Sequence, residues 1–138
     1  MSEECIFTGF RISATGLSAQ RKKMDVIANN MANAGTTRTV EGGPYKRKFI
    51  TFMPKINPKT GVQEGVEVKG ISVDPAAPRM IYDPTHPDAD KKGYVAYPNV
   101  NTITEMVDML QVVRAYEANV TALNAAKEII NKSLDIVR

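Results

Sequence analysis

Proline is confined to the middle of this 138-residue chain, and that distribution constrains the fold more than any other feature of the sequence. All eight prolines lie between Pro44 and Pro98, and neither flank contains one. An interior proline costs a helix about 3 kcal/mol, because it removes a hydrogen bond and clashes with the preceding turn. The sequence therefore predicts helical flanks at residues 1–34 and 101–138 around an irregular or β-rich middle at 35–100.

The C-terminal flank carries the clearest helical pattern. Thr102 and Glu105 have the spacing of a capping box, in which a hydroxyl and a carboxylate satisfy the first free N–H groups of a helix. Side chains then recur at alternating spacings of three and four residues, which is typical of a coiled-coil seam. This predicted seam, in which only Lys127 is polar, consists of Met106, Met109, Val113, Tyr116, Val120, Leu123, Lys127, Ile130, Leu134 and Val137.

The N-terminal flank repeats the pattern more weakly. Its apolar stripe has a spacing of seven residues and consists of Phe10, Leu17, Met24 and Met31, with Ile27 and Ala34 three residues after the last two. Gly9 and Gly16 are also seven residues apart, and each costs about 1 kcal/mol relative to alanine inside a helix. These glycines mark either a frayed or kinked start or the close approach of a neighbouring helix. Gly35 is expected to cap the helix in a left-handed conformation.

Three asparagines crowd the last turns of this N-terminal helix, at Asn29, Asn30 and Asn33. Asparagine is a mediocre helix former, because its amide competes for nearby backbone groups. One interpretation is that the amides bond to neighbouring helices and fix their register, as a buried asparagine does in a coiled coil. The alternative is local capping of the helix end before Gly35.

The middle of the chain has the pattern of short strands. "KFITFM" (48–53), "GVEVKGISVD" (65–74) and "GYVAY" (93–97) are strand candidates, and "NPKTG" (57–61) is typical of a turn. The apolar alternation changes phase at Gly70, which predicts a β-bulge. The combined prediction is an α+β fold, with long terminal helices packed as a coiled-coil pair and a small Pro/Gly-rich β region between them.

Charge and composition exclude several classes of function. The net charge of +3 is spread along the chain, so no segment has the dense basic patch of a nucleic-acid binder. A single cysteine, Cys5, rules out a disulfide framework within the chain. Glu3 and Glu4 stand where a secretory signal places basic residues, and no apolar run approaches the roughly 18 residues that span a bilayer. A soluble protein without a cleaved signal is expected.

The only histidine, His86, lies in "YDPTHPDAD" (82–90) beside Asp83, Asp88 and Asp90. Carboxylates near an imidazole can bind a divalent metal ion, so a small metal-dependent enzyme is one interpretation. The flanking prolines and the lack of a second histidine favour a rigid polar turn. Because no phosphate-binding glycine loop and no nucleophile–base pair is recognisable, we predict no catalytic, cofactor-binding or metal-binding residue and no enzymatic activity.

Two segments carry a resemblance to a known family. "LSAQRKKMDVIANNMANAGTTRT" (17–39) is similar to the N-terminal motif of the axial proteins of the bacterial flagellar rod, hook and basal body. "YDPTHPDADKKGYVAYPNVNTITEMVDMLQVVRAYEANVTALNAAKEII" (82–130) resembles the proximal-rod members of that family. The first motif is common to the whole family, whereas the second is more specific.

The resemblance implies a structural subunit of the proximal rod, located in the periplasmic space and exported through the flagellar secretion channel without a cleaved signal. Its terminal helices would form the inner tube of the rod, with residues 35–100 outside. The implied partners are copies of itself, other rod proteins and the export apparatus, with no cofactor, small-molecule substrate, nucleic acid or membrane span. A distal-rod or hook subunit is the alternative within the family, and an enzyme using His86 is the remote one.

The residues expected at subunit contacts lie on both flanks. They are Phe10, Leu17, Met24, Ile27, Asn29, Asn30, Met31, Asn33, Met106, Met109, Val113, Tyr116, Val120, Leu123, Ile130 and Leu134.

Overall fold

The computed structural model describes residues 2–136 of the chain, with the side chains of residues 8–135, so Cys5 and Val137 lie outside the described side chains. Two long helices flank a region of four strands, which confirms the predicted α+β fold. The elements are α1 (Ser2–Ala32), β1 (Lys48–Ile56), β2 (Gln63–Val73), β3 (Arg79–Tyr82), β4 (Tyr94–Tyr97) and α2 (Thr102–Ile136). Within residues 2–136, neither helix combines the length and the apolar character needed to cross a membrane.

The two helices pack against each other as an antiparallel pair. Asn30 near the end of α1 contacts Glu105 near the start of α2, and Gly16 lies against the side chain of Asn119. A Cβ atom at Gly16 would lie 3.2 Å from Asn119 Oδ1, so this glycine allows close helix approach. At Gly9, by contrast, a Cβ atom would meet open space. Of the two readings of these glycines, close packing therefore applies at Gly16.

Helix α2 begins with a different cap from the expected one. Asn101 Oδ1 accepts the backbone N–H groups of Ile103 at 3.0 Å and Thr104 at 3.3 Å, so Asn101 is the N-cap. The predicted capping box of Thr102 and Glu105 is wrong. The Glu105 carboxylate turns inward instead and takes part in the contact between the helices.

Helix α1 ends at Ala32 without the expected glycine cap. Gly35 does not have a positive φ, so the predicted left-handed cap is wrong. The side chain of Asn33 closes the helix end instead. Its amide donates to the Asn29 carbonyl at 2.9 Å, and its Oδ1 accepts the Thr36 hydroxyl at 3.2 Å. The Asn29 carbonyl also accepts the backbone N–H of Asn33 at 3.1 Å, so Asn33 is bonded to the last turn through both its backbone and its side chain.

Strands β1 and β2 form an antiparallel hairpin with the expected bulge. Thr51 pairs with Gly70 and Phe52 pairs with Val68, which leaves Lys69 as the extra residue. Strands β3 and β4 form a second antiparallel pair, in which Arg79 lies opposite Tyr97 and Tyr82 opposite Tyr94. We did not predict β3.

The β1–β2 hairpin packs on α1 at a position where β2 has a glycine. Gly65 of β2 has a φ of 130°, and a Cβ atom there would overlap the hydroxyl of Thr15 on α1. The same hydroxyl accepts the backbone N–H of Val66 at 3.2 Å. Arg11 and Glu64 form an ion pair beside this contact. Glycine is therefore required where β2 approaches the helix.

The chain exposes more surface than a compact monomer of its mass. Its accessible surface is 10017 Å², whereas a compact monomer of 15.2 kDa exposes about 7,100 Å². The excess of about 2,900 Å² corresponds to several protein–protein interfaces at about 800 Å² per partner. The buried apolar residues among the described ones are Ala19, Val26, Ile27, Val95, Pro98, Val100 and Val112.

Candidate subunit-contact surface

The buried seam between the helices is displaced from the apolar stripes of the sequence. The helices contact each other at Asn30 and Glu105 and at Gly16 and Asn119, and Lys23 on α1 and buried Val112 on α2 occupy the same heptad positions. The apolar heptads lie one residue further along each helix, at Leu17, Met24 and Met31 and at Met106, Val113 and Val120. One residue corresponds to a rotation of about 100° around a helix, so each stripe lies beside the seam rather than in it.

Both stripes face the same side of the helix pair. Along each right-handed helix the side chains turn in the same sense, but α1 and α2 run in opposite directions. On both helices, the residues one position after the seam residues therefore face one side of the pair. The residues one position before the seam residues face the other side. Thr15, one step backward from Gly16, contacts the β1–β2 hairpin. The hairpin thus covers one side of the pair, and among the described elements its backbone lies close to α1 and not to α2.

We call the uncovered side the open face. It is lined by Phe10, Leu17, Met24, Met31, Val113 and Val120, of which Phe10 is exposed and the others are half-buried.

A second apolar surface lies on α2, on the side turned away from α1, and it adjoins the open face at Met106. Ile103, Met106, Val107 and Leu110 are 74%, 48%, 48% and 60% exposed. We call these four residues the α2 ridge. Their spacing of i, i+3, i+4 and i+7 is that of a helix whose side chains insert into a partner's groove. Helix α2 therefore has apolar surface on opposite sides, of which α1 covers only one.

The structure describes all sixteen residues that the sequence placed at subunit contacts. Ile27 and Asn30 are buried within the chain. Ten are half-buried: Leu17, Met24, Met31, Asn33, Met109, Val113, Tyr116, Val120, Leu123 and Ile130. Four are exposed: Phe10, Asn29, Met106 and Leu134. Their role between subunits stays a prediction.

The three asparagines of α1 have different environments. Asn29 is exposed and donates to the Asp25 carbonyl at 2.8 Å, one turn back along its own helix. Asn33 closes the helix end. Asn30 is 1% exposed and makes four hydrogen bonds to residues outside α1. Within the chain, only Asn30 of these three links the helix to other elements.

The carboxamide of Asn30 is fully satisfied. Its Nδ2 donates to the Lys48 carbonyl at 2.7 Å and to Glu105 Oε2 at 3.0 Å. Its Oδ1 accepts the Lys48 N–H at 2.9 Å and the Tyr45 hydroxyl at 3.0 Å. Two donors and two acceptors are the full capacity of an asparagine side chain. The amide thus pairs with both backbone groups of Lys48, as a neighbouring strand would, and holds β1 against the helices.

Glu105 extends this network to a cation. Its carboxylate is 1% exposed, and its Oε1 accepts the Arg47 Nε–H at 2.7 Å. The guanidinium of Arg47 also lies 3.8 Å from carboxylate oxygens of Asp74 and Asp108. A buried carboxylate needs such a partner, because removing it from water is costly. We call Asn30, Tyr45, Arg47, Lys48 and Glu105 the polar clasp; it joins α1, β1 and α2.

The clasp also affects the tyrosine that it contains. Partial burial, together with the negative charge of Glu105, raises the pKa of Tyr45 above its usual value of about 10. The Tyr45 hydroxyl donates a hydrogen bond to Asn30 Oδ1 at 3.0 Å. Sequence reasoning missed the clasp: Glu105 had been assigned to a cap, and nothing local connected Tyr45 and Arg47 to the helices.

The loop between β3 and β4 holds His86 in a turn. His86 Nδ1 accepts the Asp88 N–H at 3.1 Å, and Asp83 Oδ1 accepts the hydroxyl of Thr85 at 2.7 Å. Asp88 in turn accepts the hydroxyl of Thr37 at 2.8 Å. The bonds to Thr85 hold the pKa of Asp83 below its usual value. Among the described side chains, no group of three or more His, Cys, Asp or Glu residues is placed to hold a metal ion.

Comparison with known proteins matches both ends of the chain to flagellar families. The family described as "Flagella basal body rod protein" matches residues 10–38, and "Flagellar basal body rod FlgEFG protein C-terminal" matches residues 91–136. These segments contain most of α1 and all of α2, the elements that carry the open face and the α2 ridge.

Full-length relatives extend the match across the strands. The flagellar basal-body rod protein FlgC of Borreliella burgdorferi is 43% identical over 96% of this chain and 98% of its own length. The proteins of the same name from Bacillus subtilis and Yersinia enterocolitica are 40% and 41% identical, over 94% and 92% of this chain and 97% and 94% of their own lengths. At this identity and coverage, the chain belongs to the family of flagellar basal-body rod proteins.

Proposed function

We propose that the chain is a structural subunit of the proximal rod of the bacterial flagellum, and that it assembles with copies of itself and with other rod proteins into the shaft that transmits motor torque. Residues 1–34 and 101–138 form the inner tube of that shaft, and residues 35–100 lie outside it. The sixteen residues predicted at subunit contacts act in this assembly.

The observation that carries the proposal is the apolar surface left uncovered on the helix pair. The open face and the α2 ridge together present ten apolar side chains, all of them exposed or half-buried. Contiguous apolar surface of this extent is typical of protein–protein contacts. Surfaces on two sides of one helix pair suit a subunit with neighbours on several sides. A compact monomer would have buried them.

Two further features of the proposal concern transport and chemistry. The chain is exported through the flagellar secretion channel without a cleaved signal and reaches the periplasmic space, where the rod is built. It has no enzymatic activity, because the groups around His86 are engaged in holding a turn. The alternatives of a distal-rod or hook subunit and of a metal-dependent enzyme are less consistent with its relatives. These relatives are named as basal-body rod proteins, and they match the chain over nearly their whole length.

The test is the composition of basal bodies from the source bacterium. Deletion of the gene is expected to abolish motility, and an affinity-tagged copy is expected to restore it and to copurify with detergent-extracted basal bodies. His86→Ala is the matched control, and we expect it to assemble normally, because the histidine acts only within its turn. A motile deletion strain, or basal bodies that lack the tagged chain, would contradict the proposed function. Loss of motility in His86→Ala with normal rod content would point to chemistry at that loop.

A further inference from the structure

We propose that the turn at residues 39–43 of one copy inserts into a pocket beside Arg79 of a neighbouring copy, and that this contact joins adjacent subunits outside their packed helices. The inference rests on the proposed function. It assigns a subunit contact to the part of the chain between α1 and α2.

The 39–43 turn presents one apolar side chain entirely to solvent. Val40 is 107% exposed, so no other part of its own chain covers it. The next most exposed large apolar side chain among those described, Ile103, is 74% exposed. Glu41 lies beside Val40, is also exposed, and forms no ion pair in the described part of the chain. The tip of the turn therefore offers an apolar group and a free carboxylate side by side.

This exposure is held by the backbone of the turn. The Thr39 N–H donates to the Gly43 carbonyl at 2.9 Å, and the Gly42 N–H donates to the Thr39 carbonyl at 3.0 Å. Gly42 and Gly43 have φ values of 87° and 76°, which side chains other than glycine rarely allow. The Thr39 hydroxyl donates to the Gly43 carbonyl at 3.2 Å as well. A projection held in one conformation loses little freedom on binding, which favours a role as a contact.

A pocket that fits this tip lies where β3 begins and β4 leads into α2. Its volume is about 420 Å³, within the range of about 300–1,000 Å³ that is usual for binding pockets. Because Asn101 already caps the first N–H groups of α2, Arg79 is the charged group of the lining. Its Nε donates to the Pro98 carbonyl at 3.3 Å, and it forms no ion pair among the described residues. We call this the Arg79 pocket; it is lined by Arg79, Asn99, Val100, Asn101, Thr102 and Ile103.

The tip and the pocket are complementary in charge and in polarity. Glu41 is an unpaired anion and Arg79 an unpaired cation, and their opposite charges favour this contact over contacts between like charges. Val40 and Ile103 both leave apolar surface in water, and docking would bury it. Within one chain Val40 is fully exposed, so the turn does not fill its own pocket. A second copy supplies the missing half of each.

The positions of the two surfaces indicate how the copies are arranged. The turn follows the end of α1 and the pocket surrounds the start of α2, and Asn30 and Glu105 bring these helix ends together. Both surfaces therefore lie at the same end of the helix pair. A contact between two different surfaces repeats at each added copy and gives a ring or a helical array. At one end of the pair, it links copies side by side rather than end to end.

Charge reversal tests the contact in the assembled rod. Glu41→Arg and Arg79→Glu are each expected to lower incorporation into basal bodies about tenfold, because each places like charges together. A chain that carries both changes has the opposite charge on each side of every contact, and we expect its incorporation to return to near the wild-type level. Glu67→Arg, which reverses an exposed carboxylate on β2, is the matched control and should incorporate normally. Circular dichroism checks that each variant is folded.

Disulfide cross-linking provides a second test that leaves Arg79 unchanged. In a Cys5→Ser background, one chain carries both Val40→Cys and Asn99→Cys, two exposed positions on the tip and at the pocket. Basal bodies are oxidised mildly and analysed on non-reducing gels. Because each copy has both halves of the contact, we expect a ladder of dimers and higher oligomers. Neither single cysteine variant should give one.

The inference would be overturned by normal incorporation of both single charge reversals, or by a double reversal that stays as impaired as Arg79→Glu alone. The second result would show that Arg79 acts within its own chain or meets a different partner. If Arg79→Glu does not fold, the cross-link decides, and absence of the ladder in rods that contain the double cysteine variant overturns the inference. Absence of the wild-type chain from basal bodies would instead refute the proposed function, so the two failures are distinguishable.

Discussion

Replacing Asn30 by leucine tests the polar clasp, and Asn29→Leu is the matched control on the neighbouring position of the same helix. Asn30→Leu removes four hydrogen bonds, whereas Asn29→Leu removes one exposed bond to the Asp25 carbonyl. Leucine is the better helix former at both positions. Any loss of stability specific to position 30 therefore reports on the clasp.

The expected loss follows from the partners that Asn30 leaves behind. The bond to the buried carboxylate of Glu105 is of the charged type, worth about 1.5–3 kcal/mol, and the three neutral bonds add about 0.5–1 kcal/mol each, because Lys48 and Tyr45 can regain water. Burial of the leucine side chain returns about 1.5–2 kcal/mol. The net cost is about 3 kcal/mol, which corresponds to a fall in Tm of roughly 10 °C for a domain of this size.

The assay is thermal and urea unfolding of the purified proteins, followed by circular dichroism. We expect a fall of about 3 kcal/mol in the free energy of unfolding for Asn30→Leu and a change within about 0.5 kcal/mol for Asn29→Leu. A double-mutant cycle with Glu105→Gln should give a clear coupling energy, because the two side chains bond directly. Equal stabilities of the two leucine variants would refute the reasoning, as would additive effects in the cycle.

Three further predictions concern other contacts. Gly65→Ala should lower the Tm, because its Cβ would overlap Thr15, whereas Gly9→Ala, which meets open space inside α1, should raise stability by up to about 1 kcal/mol; thermal melts of both variants check this. The raised pKa of Tyr45 contributes stability that is present below the unfolded value of about 10 and is lost as pH rises through the folded value, so Tyr45→Phe should flatten the alkaline loss in pH-dependent melts. Leu123→Asp places a charge beside the helix–helix seam and should abolish incorporation into basal bodies, measured by immunoblot. Normal motility of that strain would show that assembly does not depend on this seam.

The sequence was sufficient to predict the elements, because their signals are local. Absence of proline defined both helices to within about two residues, and the change of phase near Gly70 identified the bulge between β1 and β2. The turn after Asn57 was likewise predicted, and Gly61 adopts a φ of 69° there. Each of these features depends on residues that are close together in the chain.

The position of the seam could not be predicted in the same way. Apolar periodicity assigns the packed face to the most apolar heptad, yet the heptads at the contact include Lys23, Asn30 and Glu105. Such residues are acceptable at a buried contact only when distant partners satisfy them. For Asn30 and Glu105 those partners are at Arg47 and Lys48, in a segment with no local relation to either helix. The sequence identified the apolar stripes of both helices, but in the structure these stripes lie beside the contact between α1 and α2.

Thiol labelling of the open face and the α2 ridge tests most directly whether these surfaces serve contacts between subunits. Phe10→Cys and Leu110→Cys, each in a Cys5→Ser background, are reacted with a maleimide in the purified monomer and in isolated basal bodies, with Lys59→Cys in the exposed β1–β2 turn as the control. The account predicts rapid labelling of both positions in the monomer and strong protection in the rod, while Lys59→Cys stays reactive in both. Equal labelling rates of Phe10→Cys and Leu110→Cys in monomer and rod would contradict it.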